Sequence, residues 1–206
     1  MKLIEPWVGA NYSHSNIFGE KRVMILGESY YGFHNMKKTR SETFKLVVQL
    51  NLDTLKNHGV VRNQYFRTLA KICLNKKDVS YKDYEGFWQS IIFYNYVNQN
   101  MKTVFQRPNQ LDWENSFEKF LEVLNIHKPE YILVCGKALW FGIPEKYGTS
   151  GPEDYTWYFD YEGGKAVSTY IYHPSRYPNG KDERVSSEIF KKLLKYKIPQ
   201  LQSVSL

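Results

Sequence analysis

Cysteine is scarce in this chain, and long apolar runs are absent. The two cysteines in 206 residues are Cys73, within a helical pattern, and Cys135, within an apolar run. They are too few for a disulfide framework and lack the spacing of a zinc or iron–sulfur site. Both read as small buried side chains, and no metal or cofactor is expected. No stretch approaches the roughly 18 consecutive apolar residues needed to cross a bilayer, and Met1 to Ala10 has no apolar signal core. A cytoplasmic protein with no membrane partner is therefore expected. Repeats, low-complexity tracts and Pro/Gly/Ser-rich linkers are missing too, so residues 1–206 read as one domain. Such a length buries roughly 70% of the unfolded surface without staples. Nothing in the pattern calls for a second copy, and a monomer is expected.

What is present in excess is aromatic and basic. The 17 Tyr, 12 Phe and 5 Trp make 17% of the chain; such side chains fill cores and also stack on planar ligands and bases. Lys and Arg number 28 against 21 Asp and Glu, a net charge of +7. That balance favours a polyanionic partner such as nucleic acid.

Four segments read as strands: Arg22 to Glu28, Gln89 to Val97, Tyr131 to Lys137 and Lys165 to Tyr172. The runs VMIL and YILVC suit strands covered on both faces, as in a parallel sheet. Helical periodicity fills Ser41 to His58, Arg62 to Leu74, Asn115 to Ile126 and Ser186 to Tyr196, while Asn75 to Glu85 and Asn98 to Trp113 read as loops. The alternation predicts an α/β fold of three layers, α/β/α, around a mostly parallel four-stranded sheet. Tyr155 to Asp160, followed by Gly163 and Gly164, has the turn chemistry to add an antiparallel hairpin at one edge.

In such a sheet, ligands bind beyond the carboxyl ends of the strands. Those ends carry Gly27-Glu28-Ser29-Tyr30-Tyr31-Gly32, Asn95 to Asn98, Gly136-Lys137 and His173-Pro174-Ser175-Arg176. Glycines let a turn pass close to a ligand, Asn and His read an amide-like edge, and Arg suits phosphate or base contacts.

The stretches ILGESYYG and YIYHPSR, in this order and behind strands, resemble the uracil-DNA glycosylase superfamily. That family opens its site with a Gly-Gln-Asp-Pro-Tyr-like or Gly-Glu-Ala-Pro-Gly-like turn and closes it with His-Pro-Ser. Asn95 in IIFYNYV matches the family's strand-end Asn, and Gln106-Arg107-Pro108-Asn109 resembles an Arg-Pro-Pro loop of its iron–sulfur members. The likeness spans about residues 22 to 176. It implies that His173 donates to the base oxygen on which charge develops, that Asn95 binds the uracil edge, and that Gly27 and Glu28 line the pocket. It further implies that Ser175 and Arg176 belong to the loop that presses into the minor groove of a duplex while the nucleotide is extruded, and that the partner is DNA, single or double stranded. Tyr31, Phe33 and Phe44 are the candidates to stack on the base.

The departures are specific. Ser29 stands where strongly active members have a water-activating Asp, and a hydroxyl positions water but is no base near neutral pH. Tyr30 replaces a Pro, and the cluster cysteines are missing. Two further readings stay open. One is a non-catalytic relative of the same fold that binds nucleic acid or a nucleotide. The other is a small serine hydrolase with Ser29 as nucleophile, His173 as base and Asp154 or Asp160 as acid.

Overall fold

The computed structural model of the protein describes residues 5–31, 40–59, 63–101, 106–176 and 183–199. The described chain is α/β. Its strands, in chain order, are β1 (Trp7–Val8), β2 (Val23–Tyr31), β3 (Ile91–Met101), β4 (Tyr131–Cys135), β5 (Thr149–Ser150), β6 (Thr156–Tyr161) and β7 (Gly164–Ile171). The helices are α1 (Arg40–His58), α2 (Gln64–Leu74), α3 (Tyr81–Gln89), α4 (Gln110–His127), α5 (Lys137–Gly142) and α6 (Glu183–Leu193).

The strands form one sheet in the order β1-β3-β2-β4-β7-β6-β5. This corrects the four-stranded expectation, because the sheet is mixed and has seven strands. The four strands legible in the sequence make its parallel centre, β3-β2-β4-β7, and antiparallel strands extend both edges. The added strands escape a periodicity reading because β1 and β5 contribute two residues each. Strand β6 is the expected hairpin partner of β7, and Gly163 at φ 80° supplies the turn.

Alternation along the central strands sorts the apolar side chains into two cores. Val23, Ile25, Phe93 and Leu133 face one side, where α1, α2, α3 and α6 pack on them; Met24, Leu26, Tyr94 and Val134 face the other, under α4 and α5. Cys73 and Cys135 are free and buried in the first core. Two segments expected as loops are partly helical or extended. Ser80 and Asp83 form a reciprocal capping box that starts α3, and Asn109 and Asp112 do the same for α4. Strand β3 runs on to Met101. Among the described residues no helix is long and apolar enough to cross a membrane.

Candidate functional site

The four parallel strands deliver their carboxyl ends to one side of the sheet. There β2 brings Gly27, Glu28 and Ser29, β3 brings Asn95, and the turn after β7 brings His173. The register of β2 on β3 shifts between Ser29 and Tyr30, so the pairing is irregular where the site begins.

Gly27 pairs with Asn95 across β2 and β3, and the Asn95 amide lies over it. A Cβ at Gly27 would stand 2.1 Å from Asn95 Oδ1. Only glycine leaves room there. Asn95 is itself buried, and its Nδ2 donates to the Ser29 carbonyl at 3.2 Å. One amide N–H and the amide oxygen therefore remain for another partner. The Ser29 hydroxyl is buried and has no hydrogen-bond partner. An unpaired buried hydroxyl is costly, and such atoms mark the place of a water or ligand group.

His173-Pro174-Ser175-Arg176 is a turn closed by Arg176 N donating to His173 O at 2.8 Å, with Pro174 in a position where its fixed φ favours the turn. Within it, the Ser175 amide donates to His173 Nδ1 at 3.2 Å. That bond makes Nδ1 the acceptor and leaves the ring proton on Nε2. Burial pushes the imidazole below its usual 6.5; Glu28 works against this and Arg176 and Arg107 add to it. At neutral pH the ring is thus an uncharged Nε2–H donor. Gly136, at φ 128°, passes beside the ring, and a Cβ there would meet His173 Cδ2 at 3.6 Å.

Glu28 is held differently from the other residues. Its buried carboxylate receives Arg107 Nη1 at 2.8 and 3.1 Å, and the arginine side chain is 57% exposed. Arg107 lies in the segment between β3 and α4, so this ion pair helps tie that segment to the end of β2.

Sequence reasoning missed Tyr65. It occupies the apolar stripe of α2 and so reads as core, yet its ring lies 5.1 Å from the His173 ring and its hydroxyl is buried without a hydrogen-bond partner. The Cys135 thiol and Glu28 are among its electrostatic neighbours, and burial raises the phenol well above its usual 10. Ser175 is half-buried and Arg176 exposed, at the mouth of the turn. Tyr31 extends β2 opposite Met101; its side chain, that of Phe44, and the whole of Phe33 lie outside the described residues.

The serine-hydrolase arrangement does not assemble. A triad needs His173 Nδ1 as a donor to a carboxylate, whereas here it accepts from a backbone amide. Asp160 pairs with Lys165 at 3.2 Å, at the opposite end of β7. A cavity of about 630 Å³, lined by Cys73, Lys76, Lys82, Asp83 and Gln89, also lies toward the opposite end of the sheet, beside the start of β3.

No family model matches the chain, and no curated protein matches it. The site's own side chains supply an uncharged imidazole N–H, a buried amide with free valences, and two unpaired hydroxyls.

Proposed function

We propose that the chain is a base-excision glycosylase, of the uracil-DNA glycosylase kind, hydrolysing the N-glycosidic bond of uracil or a related damaged base in DNA. The observation that carries this reading is the Ser175–His173 hydrogen bond, which leaves an uncharged Nε2–H donor on the turn after β7. As the bond from C1′ to the base nitrogen breaks, its electron pair passes to the base and charge develops on a carbonyl oxygen. A fixed donor aimed at that oxygen stabilises the transition state more than the ground state. The free amide valences of Asn95 suit the oxygen and N–H of a uracil-like edge. Water adds to C1′, and its proton leaves with the departing base or to solvent, because Ser29 holds water but accepts no proton near neutral pH. Arg176, exposed at the mouth, meets the phosphate backbone. The nucleotide must leave the stack to reach these groups, at a cost of a few kcal/mol in duplex and less in single strands.

Single-turnover release of base from uracil-containing single- and double-stranded oligonucleotides tests the reading. Release by the native protein that is lost in both His173→Ala and Asn95→Ala supports it. The second reading, a non-catalytic nucleic-acid binder, rests on Ser29, a non-basic residue at the water position. No release from any lesion, together with salt-sensitive DNA binding, would establish that second reading and end the first.

A further inference from the structure

Two large rings stand in solvent at the rim of the sheet, at the same end as His173. Tyr155 is 63% exposed and Phe141 57% exposed. Each leans on Tyr170 from a different element, with centroids 6.0 Å away and interplanar angles of 84° and 60°. Tyr170 in turn packs on Trp140 at 5.3 Å, and Trp140 stacks on Trp157 at 4.6 Å. The exposed rings thus sit on a rigid aromatic base. Lys137 Nζ lies 5.6 Å over the Phe141 ring, and Lys137 directly follows the β4 end at Cys135 and Gly136. Tyr155 precedes Thr156, which pairs with Thr169 near the carboxyl end of β7.

The backbone of Tyr155 adds a second observation. Its φ is 57°, a left-handed conformation that a bulky side chain rarely adopts and glycine or asparagine takes readily. It is the one aromatic among the five described non-glycine residues with positive φ. The turn is fastened around it. Thr156 N donates to the Glu153 carbonyl, Glu153 N donates to Thr156 Oγ1 at 3.0 Å, and Thr169 Oγ1 donates to the Tyr155 carbonyl at 3.0 Å. Lys192 pairs with Glu153 from α6. Backbone strain of this kind is costly and clusters at sites of binding and catalysis, and here it lies beneath a largely exposed ring.

We propose that Tyr155 and Phe141 form a stacking platform for single-stranded nucleic acid, with Lys137 meeting the phosphates. Exposed rings beside a cation match the alternating base and phosphate of a single strand, whereas paired bases present no free faces. The net charge of +7 draws the strand in. Exposed Asp154 repels phosphate beside Tyr155, so the backbone tracks along the Lys137 side. The link between this platform and a base-acting site rests on the function proposed above; the binding does not.

Fluorescence anisotropy with short labelled oligothymidylate, oligouridylate and a duplex, none containing a lesion, separates the two. The platform predicts tighter binding to the single strands than to the duplex at equal salt. Tyr155→Ala with Phe141→Ala should weaken single-strand binding about tenfold or more and leave the duplex nearly unchanged; the two single strands tell DNA from RNA as the source. Tyr155→Gly should keep or raise the melting temperature while it weakens binding, because glycine relieves the left-handed backbone. A purely structural Tyr155 would lower the melting temperature instead and leave affinity untouched, and that result overturns the proposal. Equal loss on single strand and duplex, no binding at low salt, or a dimer in sedimentation that Tyr155→Ala dissolves would overturn it as well. Base release measured on the same variants reports on the glycosylase reading separately, since no variant touches His173, Asn95 or Ser29.

Discussion

The Ser175 amide donates to Nδ1 of His173 at 3.2 Å, and this one backbone bond decides what the imidazole can do. With Nδ1 accepting, the proton sits on Nε2. Burial lowers the ring's pKa from 6.5, so folding favours the uncharged form.

The sign of the pH effect follows from that shift. Below pH 6.5 the unfolded chain takes up a proton at this ring before the folded protein does, so the stability contribution is complete above that pH. It falls as pH drops through 6.5 toward the lower folded value. His127 is shifted the same way by burial, so the native protein carries both contributions. Denaturant unfolding from pH 8 to 5 on the native protein and on His173→Gln should therefore show a steeper acid-side loss in the native protein. Nitrogen-15 chemical shifts should report the Nε2–H tautomer at pH 7; a protonated ring at that pH would contradict the assignment.

The Gly27–Asn95 contact makes a sharper demand. Alanine at 27 would bring its Cβ within 2.1 Å of Asn95 Oδ1 and 3.0 Å of the Phe93 ring, so the amide must swing away and release the Ser29 carbonyl. Overpacking of this kind costs about 1–3 kcal/mol. Gly27→Ala should therefore lower stability by that amount and abolish any base release. Gly59→Ala, where nothing lies within 4 Å of the added Cβ, serves as the control, with strain only from its φ of 69°.

How much of this was legible in the sequence depends on range. The four central strands and the long helices follow from apolar periodicity, because burial on both faces of β2 and β4 leaves continuous runs such as VMIL and YILVC. Gly27, Asn95 and His173 stand out because they follow such runs closely, although β2 and β3 continue past Gly27 and Asn95 to Tyr31 and Met101, so that Asn95 lies within its strand and not at the end expected for it. The segment 81–89 was hidden. Its helix is set by the Ser80–Asp83 capping box and by Tyr84, Phe87 and Trp88, which are buried through tertiary packing. Tyr65 was hidden for the opposite reason: its place on an apolar stripe is correct, and only the packing shows its ring against His173. The Glu28–Arg107 pair joins residues 79 positions apart, a separation at which periodicity carries no information.

Two unpaired hydroxyls give a test that separates folding from chemistry. Ser29 Oγ and Tyr65 Oη make no hydrogen bond that Ser29→Ala or Tyr65→Phe would remove. Each variant should keep the native stability to within about 1 kcal/mol or exceed it, since a buried hydroxyl without a partner is a liability. If Ser29 positions water, base release should slow in Ser29→Ala while DNA binding stays constant. Thermal melts and single-turnover assays on the same preparations check both halves; a large drop in melting temperature would mean that the hydroxyl is satisfied in solution by the protein itself.

Glu28 and Arg107 should prove coupled. The carboxylate is 7% exposed and the arginine 57% exposed, so the pair sits at the boundary between core and solvent, where a charged hydrogen bond is stronger than on an open surface. Removing the cation alone leaves a buried carboxylate short of a donor, and Arg107→Ala should cost about 1–3 kcal/mol. Glu28→Gln removes the charge and should cost less, because an uncharged amide needs no counter-charge. In the double variant much of the Arg107→Ala penalty should vanish, and the difference, read from denaturant unfolding of the four proteins, is the coupling. The same contact tethers the segment before α4 to the end of β2, so Arg107→Ala should also speed proteolysis at residues 106–109. A double-mutant cycle that closes with no coupling would show that the carboxylate is held by other partners, and that Arg107 covers Glu28 without stabilising it.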